Sequence, residues 1–348
     1  MKRIYLDSAA TTPVNKHIIS RLQKDLKYIY GNPSSLHHEG RIASEKVEKA
    51  REQVAKLLGC DADEIFFTSG ASESNSWVAK CAPYKLVATN DSHTSLEKYK
   101  FKHQKEIYEQ KTMYGELIQK NVMISYPLIN NEMGYRNVFY FNYPWLHVDL
   151  TQALGKVEIN LREHSNILFA SASGHKIGGL KGCGILYIKK SEQKHMKTLI
   201  EGHQENGFRG GTENVLGIIS FGYAAEETFK NFYKNKERVD NLILYTTWGL
   251  LCGRGLNYMT NENIINITFR NLNAQTAVQL FDRYGICVSA GSACNSGIDE
   301  PSDSLLGKGY TSEQALRTIR ISLNPTTTKR EIRKFIKVLK KIVDIYDK

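Results

Sequence analysis

The chain has 348 residues, 41% hydrophobic and 24% charged, with a formal net charge of +11, which suits a globular protein of one large and one smaller domain. No stretch reaches the roughly 18 apolar residues of a membrane span. The opening Met1-Lys2-Arg3-Ile4 lacks the apolar core of a signal peptide, so a cytoplasmic location is expected. Six scattered cysteines without a Cys-x-x-Cys pair argue against zinc and against a disulfide framework. The basic residues are spread along the chain, and no helix-turn-helix, RNA-binding aromatic signature or glycine-arginine tract is present. Solvated helix faces explain the charge better than nucleic acid as a direct ligand.

The spacing predicts an amphipathic helix from Thr12-Pro13 to about Tyr30, closed by the breaker Gly31-Asn32-Pro33-Ser34-Ser35. A second helix carries Ala43, Val47, Ala50, Val54, Leu57 and Leu58 on one face and stops at Gly59. A strand at Ile65–Thr68 leads into Ser69-Gly70-Ala71-Ser72-Glu73, a small-residue turn opening another helix; such a turn suits a phosphate. Further strands are expected at Leu86–Thr89, Val122–Tyr126, Leu146–Leu150, Ile167–Ser171 and Gly184–Ile188. Several alternate with helical segments, which implies an α/β fold with a large, mostly parallel sheet. That domain is expected over 13–225. Residues 1–12 and 226–348 form a smaller α+β domain. Its last helix opens with the capping box Thr328-x-x-Glu331 and buries Ile332, Phe335, Ile336, Leu339, Ile342 and Val343.

The chemistry concentrates around one amine and one acid. Lys176 follows the strand-like run Ile167–Ser171, and Asp149 ends His147-Val148-Asp149 about one β-α-β spacing upstream. Strand ends of an open α/β sheet are where ligands bind. A pyridoxal phosphate enzyme needs this pair: the amine holds the cofactor and the carboxylate keeps the pyridine nitrogen protonated. Ser173 and His175 flank the lysine with donors suited to a phosphate. Cys294 lies in Gly291-Ser-Ala-Cys-Asn-Ser-Gly-Ile-Asp-Glu-Pro301, small and polar enough for a mobile surface loop. There a thiolate could meet both an enclosed substrate and an external acceptor.

Taken in order, these motifs resemble the cysteine desulfurases, the NifS/IscS-like branch of the class V aminotransferase group of fold-type I enzymes. The matching segments are Tyr5-Leu-Asp-Ser-Ala-Ala-Thr-Thr-Pro13, Tyr30-Gly-Asn-Pro-Ser-Ser35, Phe67-Thr-Ser-Gly-Ala-Ser-Glu-Ser74 and Asn130-Asn-Glu-Met-Gly134. They continue through His147-Val-Asp-Leu-Thr-Gln-Ala-Leu-Gly155, Ser173-Gly-His-Lys176, Arg209-Gly-Gly-Thr-Glu-Asn214, Gly291-Ser-Ala-Cys294 and Arg320-Ile-Ser-Leu323. The resemblance implies a fold-type I transferase dependent on pyridoxal 5'-phosphate, with L-cysteine as substrate, L-alanine as product and the sulfur held as a persulfide on Cys294.

It makes Lys176 the Schiff-base lysine, Asp149 the pyridinium partner and His93 a stacking and proton-moving residue. Asn131 and Gln152 would contact the phenolic oxygen. Ala71, Ser72, Ser173 and His175 would line the phosphate site, with Thr212 arriving from the second subunit of a homodimer. Arg320 and Asn32 would hold the substrate carboxylate, a task for which the guanidinium fork is shaped. The sulfur acceptor would be a protein of scaffold or thiolase type, in iron–sulfur cluster assembly or tRNA thiolation. No metal site is implied. The stretches 94–121 and 135–146 look shorter than the family's usual insertions. Rival readings are a selenocysteine lyase, another class V aminotransferase, or a catalytically silent scaffold of the same fold.

Overall fold

The computed structural model describes residues 3–100, 121–137, 143–251, 256–291 and 300–347. Cys294 with most of its loop, Cys252, most of the stretch 94–121 and the segment 138–142 lie outside the described residues. The chain divides into two compact units: a larger one of residues 13–128 and 137–231, and a smaller one of residues 1–12, 129–136 and 232–348.

The smaller unit contributes strand β1 (Ile4–Tyr5) before the chain enters the larger one. There helices α1 (Lys16–Asp25) and α2 (His38–Leu58) precede strand β2 (Ile65–Thr68) and helix α3 (Ala71–Cys81). Strands β3 (Lys85–Ala88), β4 (Val122–Pro127), β5 (Leu146–Asp149), β6 (Ile167–Ser173) and β7 (Gly184–Ile188) follow, then helix α4 (Val215–Lys230). The six strands form one sheet in the order β2-β7-β6-β5-β4-β3. Strands β3 to β6 run parallel, and β7 is antiparallel to both its neighbours. Every residue of β4, β5 and β6 is buried, as expected of parallel strands covered on both faces. Trp77 and Val78 of α3 pack onto Met123, Phe169 and Leu186 on one of those faces. Helix α4 lies close on α2, because Gly222 has no Cβ; one built there would sit 2.7 Å from Ala50 Cα.

Helix α1 ends at Asp25 instead of running to Tyr30. The buried Asp25 carboxylate accepts from Tyr223 Oη at 2.6 Å and from Lys46 Nζ at 3.2 Å. The Tyr28 and Ile29 N–H groups turn back onto the Asp25 carbonyl and close the helix there. Strand β6 runs two residues further than its apolar run suggested, so Ser173 belongs to its end.

In the smaller unit, helix α5 (Phe232–Leu251) leads to strands β8 (Asn257–Asn261) and β9 (Ile264–Thr268), helix α6 (Ala274–Arg283), and strands β10 (Ile286–Cys287) and β11 (Ser289–Ala290). Helices α7 (Asp303–Leu306) and α8 (Ser312–Leu316), strand β12 (Thr318–Ser322) and helix α9 (Lys329–Tyr346) complete it. Strands β11-β12-β9-β8 form an antiparallel sheet, and β1 pairs with β10 in parallel. The α9 capping box is reciprocal: Thr328 Oγ1 accepts from the Glu331 N–H at 3.2 Å and Glu331 Oε2 from the Thr328 N–H at 2.9 Å. Its buried face is Ile332, Phe335, Val338, Leu339 and Ile342, with Ile336 and Val343 at the margin.

Candidate active site

In the larger unit the parallel pairing of β5 with β6 brings Asp149 opposite Ser171, five residues before Lys176. The Asp149 side chain is buried. Its Oδ1 accepts from the Thr151 N–H at 2.9 Å and its Oδ2 from Asn75 Nδ2 at 3.0 Å. Asn75 is fully buried on α3, and the same Nδ2 donates to Ser95 Oγ at 3.0 Å. Ser95 in turn lies 3.0 Å through Oγ from His93 Nδ1, to which its backbone N–H donates at 3.1 Å. Because Nδ1 accepts that N–H, the neutral His93 ring carries its proton on Nε2. His93, Ser95, Asn75 and Asp149 thus form one connected chain.

The second group surrounds the turns after β2 and β6. Among the described residues no side chain caps the start of α3 at Gly70, which suits the first-turn N–H groups at Ala71 and Ser72 to an anion or water. A Cβ on Gly70 would stand 3.9 Å from Ser173 Oγ, which places this turn beside the end of β6. Gly184 makes the approach possible: a Cβ there would come within 2.6 Å of Gly70 Cα. Beyond Ser173, a short helical turn over Gly174–Ile177 carries His175 and Lys176, both half-buried. Burial, reinforced by the charges of Lys176 and Lys181, holds His175 down at about 4, so the ring is neutral at physiological pH. Gln152 is buried in the turn after β5, with Oε1 accepting from Lys156 Nζ at 2.6 Å.

The loop 201–214 is tied to helices α2 and α3 by two ion pairs. Glu205 is buried and takes a left-handed backbone at φ 48°. It accepts from Arg51 Nη1 at 2.7 Å, from Arg51 Nη2 at 2.9 Å and from the Phe67 N–H at 2.8 Å. Arg209 binds Glu73 through Nε at 2.9 Å and Nη2 at 3.2 Å. Burial alone would raise the Glu73 carboxyl, but Arg209 and Ser69 outweigh it and hold the group below the usual carboxylate range. Thr212 is exposed in this loop. Asn32 is exposed too, its Oδ1 accepting from the Ser34 N–H at 3.0 Å in an Asx turn.

The smaller unit holds Arg320 and Asn131. Arg320, 1% exposed on β12, donates through Nη1 to the Asn131 carbonyl at 2.7 Å and through Nη2 to Asp7 Oδ1 at 2.9 Å. Its Nε is buried and has no partner among the described residues. Cys183 is buried and its thiol is pushed up by burial, as is that of Cys60, which suits inert packing residues. Cys287 is half-buried.

Sequence reasoning missed Asn75, Ser95, Thr151 and Asp7. The signal for Asn75 was present: it stands three residues before Val78 on the buried stripe of α3. Asp7 gave none, because its partner Arg320 lies 313 residues away in the sequence.

The sequence profile described as aminotransferase class-V matches residues 4–95 and 88–335. A cysteine desulfurase IscS from Dictyoglomus turgidum is 34% identical over 99% of this chain and 95% of its own length. Cysteine desulfurase 2 from Trichormus variabilis is 35% identical over 99% of this chain and 94% of its own. The solved structure of a NifS-like protein from Rickettsia africae superposes with a TM-score of 0.86 at 29% identity, covering 99% of this chain and 100% of that one. Matched from end to end in sequence and in fold, the chain belongs to the class V aminotransferase family, in its NifS/IscS-like cysteine desulfurase branch.

Proposed function

We propose that this protein is a cysteine desulfurase that converts L-cysteine to L-alanine and holds the sulfur as a persulfide on Cys294. The family depends on pyridoxal 5'-phosphate, and the residues of the larger unit fit that group. A buried carboxylate with fixed donors, an uncapped helix N-terminus beside a serine, and a lysine at the adjacent strand end match its ring nitrogen, phosphate and aldehyde. The pairing of β5 with β6, which sets Asp149 next to the strand carrying Lys176, is the observation that supports the reading best.

In this reading Lys176 holds the cofactor, Asp149 pairs with its ring nitrogen, His93 stacks on the ring, and Asn131 and Gln152 contact its phenolic oxygen. Ala71, Ser72, Ser173 and His175 hold the phosphate, with Thr212 contributed across a homodimer. When bound, the cofactor withdraws electrons from the substrate's α-carbon. Arg320 and Asn32 orient the substrate by its carboxylate, and the Lys176 amine takes the α-proton. The Cys294 thiolate attacks the substrate sulfur: an S–S bond forms as the carbon–sulfur bond breaks. The electron pair stays with the carbon skeleton, which takes up a proton and leaves as alanine. The persulfide then passes to a cytoplasmic acceptor protein of scaffold or thiolase type, in iron–sulfur cluster assembly or tRNA thiolation.

Incubation with L-cysteine and a reductant should release alanine and sulfide in equal amounts. Cys294→Ala should keep the near-visible absorbance of the lysine-bound cofactor and release almost no sulfide. Alkylation after brief exposure to cysteine should trap a persulfide on the Cys294 peptide. Normal sulfide release by Cys294→Ala, or a persulfide found only on Cys287 or Cys183, would sink this role for Cys294.

A further inference from the structure

Beneath the strand ends of the larger unit runs a polar row that the roles assigned above leave unused. Ser125 on β4, His147 on β5 and Ser171 on β6 are each 0% exposed. His147 Nδ1 lies 2.7 Å from Ser125 Oγ, and Nε2 lies 2.9 Å from Ser171 Oγ. Two residues earlier on β4 and β6, Met123 and Phe169 belong to the apolar core with Trp77 and Val78. Two residues later on β5, and therefore on the same face of the sheet, stands Asp149. Ser171 is its neighbour across the β5–β6 pairing.

A neutral imidazole offers one donor and one acceptor, and a serine hydroxyl can serve as either. The two serines therefore satisfy the ring completely without any charge. Burial holds His147 at about 4 against the opposing pull of Asp149, the charged group that acts on it among the described residues. A hydrocarbon side chain would fill this layer without needing partners, so the clamped imidazole calls for another reason.

We propose that His147 is a positioning residue for Asp149, clamped between Ser125 and Ser171 so that the layer beneath that carboxylate is polar, fixed and uncharged. This rests on reading Asp149 as the partner of the cofactor's ring nitrogen. An imidazolium here would compete with that nitrogen for the carboxylate's charge. An apolar residue would disfavour the ionised carboxylate by removing the nearest dipoles. A neutral, fully bonded ring does neither.

The test uses the holoenzyme with pyridoxal 5'-phosphate bound. Nitrogen-15 NMR of labelled histidine, assigned by the loss of one signal in His147→Gln, should show a neutral ring down to about pH 5. His147→Phe should speed cofactor loss on dialysis by about tenfold. It should also move the pH midpoint of the cofactor's near-visible absorbance by about half a unit. His147→Gln, which keeps a donor and an acceptor, should restore part of both effects; a purely structural role would change only the melting temperature.

A folded His147→Phe with wild-type midpoint and wild-type cofactor loss would overturn the proposal, as would a His147 ring titrating at its ordinary 6.5. Should His147→Phe fail to fold, Ser125→Ala with Ser171→Ala decides: the same shifts support the clamp, and wild-type values overturn it. Asp149→Asn is measured alongside. If it alone shifts the midpoint, the inference about His147 falls and the reading of Asp149 stands. If it too has no effect, that reading falls and carries the inference with it.

Discussion

Asn75 shows how much of the site depends on single side chains that no motif announces. One amide nitrogen reaches both Asp149 Oδ2 and Ser95 Oγ, at 3.0 Å each. An acid on one strand is thereby linked to a histidine that follows another. Asp149, His93 and the Ser173–Lys176 run could be read from the sequence because each sits beside a strand end with its chemistry intact. Asn75 could be placed on the buried stripe of α3, but its role could not be read, because that lies in partners 20 and 74 residues away. The family resemblance singles out Arg320 as a carboxylate binder, but its anchoring could not be read from the sequence. The guanidinium is held by Asp7 and the Asn131 carbonyl, so it is set in place before any substrate arrives. Losing such a charge-assisted contact costs about 2–4 kcal/mol when the partner is desolvated. Arg320→Ala is therefore expected to lower kcat/KM for cysteine by roughly two orders of magnitude. The absorbance of the lysine-bound cofactor should persist. An unchanged kcat/KM in steady-state assays would refute the carboxylate role.

At the scale of elements, the sheet was legible wherever apolar runs alternated with helical segments, and β2 to β7 stand close to their expected positions. Boundaries shifted where a tertiary contact intervened. Asp25 closes α1 through Tyr223 and Lys46, and pairing of Ser173 with Gly184 of β7 draws that serine into β6. The same elements carry a pH dependence whose sign follows from burial. His147 on β5 and His175 after β6 both fall from 6.5 to about 4 on folding, so the unfolded chain binds more protons between those values. Their contribution to stability is complete above 6.5 and is lost as the pH drops towards about 4. Glu73 acts in the same direction at lower pH, because its contribution is full above its ordinary value of 4.5 and fades as the pH falls through its depressed one. The urea midpoint of the enzyme should accordingly decline from pH 6.5 towards 4, and His147→Gln should flatten part of that decline. Borohydride reduction, by fixing the cofactor covalently, keeps cofactor loss from contributing. A midpoint that stays constant over this interval would contradict the assignment of both histidines as buried and neutral.

For the whole molecule, the smaller unit takes residues 129–136 and begins its last part at Phe232, and neither the inclusion of 129–136 nor that boundary had a sequence signal. What the larger unit leaves on its surface bears on assembly. Ile19, Leu26, Tyr28, Tyr30 and Leu36 are 43%, 57%, 69%, 74% and 92% exposed, a density of large apolar groups within 18 residues that a solitary globule rarely shows water. Thr212 is exposed as well, in a loop fixed firmly on its own unit by the Arg51–Glu205 and Arg209–Glu73 pairs. A symmetric pairing of two chains would cover the apolar groups and give Thr212 a partner, and two-fold dimers are the commonest closed assembly. Sedimentation at micromolar concentration should therefore give a dimer. Tyr30→Glu with Leu36→Glu should shift it towards monomer, because each places a charge where an apolar side chain would be buried. If Thr212 completes the phosphate site of the other subunit, the dissociated variant should also release pyridoxal phosphate faster on dialysis. A wild-type monomer that retains its cofactor fully would sink the dimer, and a monomeric variant that retains it would remove Thr212 from the site.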